Sequence, residues 1–439
     1  MKAFTRLSII LPILLVVALF QSCQDETYVK YTANSPVYMS YDDLRSAVKS
    51  VEVQPLNNPG KIYFKGNYIF INEYMKGVHV YDNSNPSSPQ QICFIDIPGN
   101  VDIAIRDNFL FADSYIDLVV IDISDIQNPI EIDREEEMFE YTIPEYDDEY
   151  ELAQIDQEKG VVIAWEVKEI KELVRHEDYY YPIYWGYRNG MMEDALVNYS
   201  GNKTGGTTSG GGTEFGVGGS MARFGQLEDY LLVLKNSWQI STFSVNNEGK
   251  ITLEGSWSVG WSIETMFIRD ETMFIGSQSG MFIYDISELP ILTQLSQFMH
   301  FTACDPVVAD DRYAYITLHT GGACGRGENV LEVVDVQDLT KPFRVKTYQM
   351  KNPNGLGLDG DLLFICDGDD GLKVFDASSP KTSLPLISHF SEIHAFDVIP
   401  LGTILFMIGD DGFYQYDYTN IQNITLLSKI EVVDTISIE

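Results

Sequence analysis

Apolar and polar positions alternate between short blocks along the whole chain. Apolar or aromatic runs such as Tyr68-Ile69-Phe70-Ile71 and Tyr313-Ala314-Tyr315-Ile316 recur between clusters of Gly, Asn, Asp and Ser. Runs this short, rich in β-branched and aromatic residues, read as strands. Six of them end on an aspartate: Val78-His79-Val80-Tyr81-Asp82, Leu118-Val119-Val120-Ile121-Asp122, Met281-Phe282-Ile283-Tyr284-Asp285, Leu331-Glu332-Val333-Val334-Asp335, Leu372-Lys373-Val374-Phe375-Asp376 and Phe413-Tyr414-Gln415-Tyr416-Asp417. A seventh, Ile240-Ser241-Thr242-Phe243-Ser244, lacks the acid. The spacings are 40 residues from 82 to 122, 41 from 244 to 285, 50 from 285 to 335, and 41 for each of the next two steps.

Each copy follows one order. An alternating strand leads through a tight turn to an aromatic or aliphatic strand. A second turn opens the aspartate-terminated strand, and a polar loop leads to a short fourth strand. Four strands per unit of this length predict an all-β propeller of four-stranded antiparallel blades. Seven blades are preferred, over 60–99, 100–138, 221–260, 261–300, 301–351, 352–392 and 393–432. An eighth around Gly160-Val-Val-Ile-Ala-Trp165 is the alternative. The aspartates are expected to accept backbone N–H bonds in the turns they open, aided by Ser124, Ser287 and Ser378. Leu118 to Asp122, with the Asp-Ile-Ser-Asp-x-x-Asn-Pro tail that starts at Asp122 and ends at Pro129, resembles the LVIVD repeat. That repeat implies a secreted or lipid-anchored bacterial β-propeller of Bacteroidota type. It covers roughly 60–432 apart from 139–220, and it implies no defined activity.

The first thirty residues differ. Lys2 and Arg6 precede a mostly apolar stretch from Leu7 to Phe20, too short to cross a membrane, as expected of an export signal over 1–22. Leu19-Phe20-Gln21-Ser22-Cys23 resembles a bacterial lipobox, which implies that Cys23 becomes the mature N-terminus and carries palmitate-type acyl chains. Gln24-Asp25-Glu26 resembles a surface-export signal. The expectation is an outer-membrane lipoprotein, at the cell surface or on the periplasmic face. Residues 23–59 then form a tether and N-terminal segment, with 27–36 polar, and 433–439 a C-terminal tail.

Charge narrows the partners. The 29 Lys+Arg against 65 Asp+Glu give a formal net charge of -36, which repels phosphate backbones and anionic lipid. No nucleic-acid binding is expected, and membrane contact only through the anchor. The insertion, 139–220, joins an acidic run, an aromatic strip and a glycine-rich return. Its strip, with Tyr180, Tyr184 and Trp185, would suit a protein contact or stacking on sugar rings, or simply pack on the propeller flank. Cys93 and Cys366 read as buried thiols. Cys304 and Cys324 are placed to form a disulfide bracing a long loop.

The first strand of each blade lines the channel of a propeller. Its start holds Lys61, Asp102, Arg223, Glu264, Asp305 and Asp397 in successive blades, with Gly355 in the sixth. This ring reads either as mutual salt bridges with ordered water or as a polar small-molecule or cation site. Metal-dependent propeller lactonases use carboxylates in such a ring, but Lys61 and Arg223 would oppose a dication. Asp367-Gly-Asp-Asp-Gly371 and Asp410-Asp-Gly412 look calcium-like yet fall where hairpin turns are due. No catalytic residue, metal ligand or cofactor is assigned, though a channel cation is left open. The reading is a non-catalytic binding or scaffolding module for an envelope protein or glycan. A hydrolase or lactonase using the mouth carboxylates, and a glycan binder using the aromatic strip, are the alternatives.

Overall fold

The computed structural model describes residues 28–173, 217–218, 223–278, 280–299, 306–319 and 328–433. They fall into two compact units. The first holds most of a three-stranded sheet of Glu151–Leu152, Tyr28–Met39 and Val161–Leu173, in that order. The polar tether expected over 27–36 is therefore largely strand. Its Tyr, Val and Thr content favours extended backbone, and Ala33 and Asn34 pair in parallel with Glu151 and Leu152. The buried Asn34 amide donates to the carbonyls of Asp147 (2.7 Å) and Tyr150 (2.8 Å). Val161–Leu173, which includes the stretch around Gly160 to Trp165, belongs to this three-stranded sheet.

The second unit is a series of antiparallel sheets, and among the described residues there are seven. Blade one comprises Pro59–Lys65, Tyr68–Glu73, Gly77–Asp82 and Gln90–Asp96. Lys49–Val51 adds to its outer edge and Val217–Gly218 to its inner edge. The later blades begin at Ile103–Arg106, Phe224–Leu227, Ile263–Arg269, Val307–Ala309, Leu356–Asp359 and Asp397–Leu401. Each of these first strands lies beside the next, and blade one's touches Ile404–Gly409 of blade seven, so the series closes. The chain is a β-propeller.

The pattern of burial explains the sequence pattern. Second and third strands are buried on both faces between neighbouring blades, as in Gly77–Asp82 and Tyr313–Leu318, and so read as continuous apolar runs. Fourth strands such as Phe343–Gln349 are half exposed and mixed in character. All six turn aspartates act as expected. Their Oδ1 atoms accept the N–H two residues on, at 2.8–3.1 Å, from Ser84, Ser124, Ser287, Gln337, Ser378 and Thr419. The Ser84 hydroxyl and N–H hold Asp82 below the usual carboxylate range, and Asp285, Asp376 and Asp417 are held down in the same way.

Two repeated features are not visible in the sequence alone. Every blade has a β-bulge in its fourth strand, which skips Ile92, Ile132, Glu254, Leu295, Val345, Ile387 or Leu427. A bulge bends the strand and sharpens its twist. In blade two the next residue, Asp133, accepts the Ile251 N–H of blade three (2.9 Å), and in four other blades the next residue donates to a carbonyl of the following blade. Cys93 Sγ donates to Ile126 O (3.4 Å), Ser296 Oγ to Leu339 O (2.5 Å), Ser388 Oγ to Ile421 O (3.4 Å) and Ser428 Oγ to Pro86 O (2.7 Å). Tyr348 OH donates to Pro380 O. Each of these five carbonyls lies four residues after a turn aspartate.

The bond from Ser428 to Pro86 joins the last blade to the first by the same device as the internal junctions. There Asn83 and Gln415 also exchange two amide hydrogen bonds of 2.9 Å, Phe64 packs 3.9 Å from Phe406 between ring centroids, and Val433 N donates to Leu56 O (2.7 Å).

Candidate functional site

The antiparallel order puts the starts of the first strands, the turns between second and third strands, and the blade-to-blade connections at one end of the second unit. Three expected mouth residues meet there. Lys61 Nζ lies 3.0 Å from Asp102 Oδ2, with the two side chains 3% and 1% exposed. Asp102 Oδ2 also accepts the Arg223 N–H (2.5 Å), and Oδ1 accepts the Ile103 N–H (2.7 Å). Arg223 Nη1 reaches Asp113 Oδ2 (3.3 Å), and its guanidinium lies over Phe139, 5.3 Å from the ring centroid.

Asp113, at the end of blade two's second strand, was not foreseen. Its Oδ1 accepts from Asn100 Nδ2 (2.9 Å), Val101 N (2.8 Å) and Asp102 N (2.9 Å), so it fixes the backbone that presents Asp102. The only hint of it in sequence is an acid inside the apolar run Phe109–Ser114.

Two cations and two carboxylates thus neutralise one another out of water. Burial pushes the Lys61 ammonium below its ordinary range against the pull of Asp102. Burial pushes the Asp113 carboxyl up, against Arg223 and the donated N–H bonds. Both Asp102 oxygens are engaged, and Lys61 and Arg223 stand where a bound dication would be repelled.

The other mouth residues have separate surroundings. Asp397 is buried against Gly355, where a Cβ would come within 2.1 Å of its Oδ1. The missing side chain in blade six therefore makes room for the carboxylate of blade seven. The Cys366 thiol is held up by burial, with Asp397 and Asp367 adding to the effect. Glu264 accepts from Gln278 Nε2 (2.7 Å). Glu264 and Arg223 line a narrow cleft with Tyr74, Tyr115, Phe139 and Lys235. Its cavity volume of about 30 Å³ holds two or three waters, since one needs roughly 10–15 Å³. Asp305, the expected disulfide partners Cys304 and Cys324, the aromatic residues Tyr180, Tyr184 and Trp185, and Cys23 lie outside the described residues. Cys93 and Cys366 are free, buried thiols.

The calcium-like segments are hairpin turns. Asp367, fully buried, accepts the N–H groups of Lys351 (3.0 Å) and Asn352 (2.7 Å) and pairs with Lys373. Lys351 and Lys373 both pair with Asp370, which holds that carboxylate low against its partial burial. Asp410 lies 3.2 Å from His394 Nδ1, and Asp411 accepts from Lys429 (2.8 Å). Lysine, histidine and backbone N–H groups thus hold the carboxylates that looked like cation ligands.

The LVIVD repeat matches residues 60–93 and 99–134, the first two blades. No curated protein matches the chain. Among solved structures, the chain resembles a protein from Lactobacillus plantarum at 10% identity, over 80% of this chain and 89% of that one, with a TM-score of 0.48. A functionally unknown protein from Desulfotomaculum acetoxidans is 9% identical over 84% and 95%, with a TM-score of 0.48. Sqt1 of Saccharomyces cerevisiae is 8% identical over 92% and 91%, also with a TM-score of 0.48. Likenesses this distant say nothing of function. The two matched repeats, together with the sheets in series, fit a repeat β-propeller family.

Proposed function

We propose that the protein is a lipid-anchored envelope propeller acting as a non-catalytic binding or scaffolding module. The single observation that carries this reading is the saturated charge network at the mouth. Lys61, Asp102, Arg223 and Asp113 are spent on one another and on backbone N–H groups. Such a network fastens blades one to three together. It leaves recognition to the connecting loops at that end, which differ in every blade while the strands beneath them repeat.

A photo-crosslinking residue placed at Lys235, beside the mouth, tests this in intact cells against one at Lys341, in a loop at the opposite end. The proposal expects a discrete adduct from position 235 and none from 341. Silence at both positions, or the same adduct from both, would overturn it.

The anchor belongs to the same proposal. The lipobox-like ending at Cys23 and the polar positions after it support export and attachment to the outer membrane. Cys23→Ala is expected to move the protein from the membrane fraction to the soluble fraction. Retention in the membrane would remove the anchor from the account.

A further inference from the structure

Two tryptophans stand out on the mouth side of blades three and four. Trp238 and Trp261 are 44% and 57% exposed, while most of the other described aromatics are buried or half-buried and Phe343, in a fourth strand, is the other exposed one. Trp238 lies in the turn between Tyr230–Asn236 and Gln239–Val245, and Trp261 in the connection from Ile251–Ser258 to Ile263–Arg269. Two backbone bonds tie these segments together, from Val259 N to Trp238 O (3.1 Å) and from Ile263 N to Ser237 O (2.9 Å).

Each segment is further fixed. Asn236 Oδ1 accepts the Trp238 N–H (3.1 Å), and Ser262 O accepts the Gln278 N–H (3.0 Å). The buried Phe282 ring meets the Trp261 indole edge to face at 6.1 Å. Gly260, at φ +151°, brings the backbone so close that a Cβ would lie 2.7 Å from Phe282. Ser262 is held at φ +50°, a strained position for a residue with a side chain. Local structure therefore holds two partly exposed indoles in fixed positions.

We infer that Trp238 and Trp261 form a stacking platform for a neutral saccharide. Three observations select this occupant. Together the two side chains expose about one indole's worth of surface, roughly 150–250 Å². That suits one or two sugar rings and falls well short of the roughly 800 Å² per partner of a stable protein contact. The platform segments, Asn236-Ser237-Trp238-Gln239 and Val259-Gly260-Trp261-Ser262-Ile263, contain no charged residue although the chain carries a net charge of -36. They offer hydroxyl and amide groups, which pair with sugar hydroxyls. The negative face of an indole attracts the weakly positive C–H face of a pyranose. Finally, the rigid loops lower the ordering cost that weakens flexible sites.

This inference rests on the binding-module reading and names its ligand class at two of those mouth-side loops. The full-length protein, solubilised in detergent, is run in native gels containing cellulose-, starch-, xylan- or mannan-type neutral polysaccharide. Retardation is expected in at least one gel, weakened about tenfold in apparent affinity by Trp261→Ala or Trp238→Ala and largely kept by Trp238→Phe. Unchanged far-ultraviolet circular dichroism of the variants shows that the fold is intact. No retardation in any of the four gels, or equal retardation of wild type and both alanine variants, overturns the inference. A discrete adduct at Lys235 with no retardation would leave the module standing without the saccharide. Retardation with no adduct would keep the saccharide platform and remove the protein partner from the module reading.

Discussion

At the scale of single residues, the mouth shows why a ring of charges need not be a ligand site. Asp102 is bonded by three separate donors, so its negative charge is already answered. Removing one member leaves the other buried without its counter-charge, at a cost of roughly 3–5 kcal/mol. Lys61→Met is expected to lower the unfolding free energy by about that much in urea titrations, and adding Asp102→Asn should recover part of the loss. A cost under about 1 kcal/mol for the single variant would show that the pair is not closed to water.

His319 offers a second residue-scale test. Burial lowers its pKa to about 4. The unfolded chain therefore binds a proton that the folded one refuses between pH 6.5 and 4. The stability contributed by neutral His319 is complete above pH 6.5 and is lost as the pH falls toward 4. From pH 7 to pH 5 this amounts to about 2 kcal/mol, and His319→Leu should flatten the decline by that amount. Equal pH dependence in wild type and variant would show that the imidazole is solvated.

At the scale of elements, the strands and their turn aspartates were legible because both are local. An apolar run buried on two faces has a recognisable composition, and an Asx turn closes within two residues of its aspartate. What was not legible is what joins one repeat to another. The bulge depends on register, and the carbonyl four residues past each aspartate has no side-chain signature. Asn83 and Gln415, 332 positions apart, reveal their pairing only once the first and last blades are side by side. Gln415 is fully buried, so Asn83→Ala leaves its amide without that partner, at a cost of about 1–3 kcal/mol. Ser84→Ala, on the exposed neighbouring residue, should cost less. Thermal melts that rank the two variants the other way would contradict the role given to this junction.

For the whole molecule, the repeat spacing was enough to give the class of fold, and the alignment of strand starts was enough to bring Lys61, Asp102 and Arg223 together. It missed Asp113, which sits on a second strand, and it overlooked Trp238 and Trp261, since neither belongs to a spaced motif. It also took a polar N-terminal stretch for a tether, because the strand over Tyr28–Met39 finds its partners more than a hundred residues later. Composition describes what a segment can form alone, whereas a strand edge is decided by what arrives to cover it.

Everything proposed for the mouth depends on closure of the blade series. Spin labels at Ser84, Ser378 and Thr419, equivalent loop positions in blades one, six and seven, test it by pulsed distance measurement. The account predicts that the distance from 84 to 419 matches that from 378 to 419, because first and last blades are neighbours. A distance from 84 to 419 several times the other would mean that the sheets run on in a line, and the mouth would not exist.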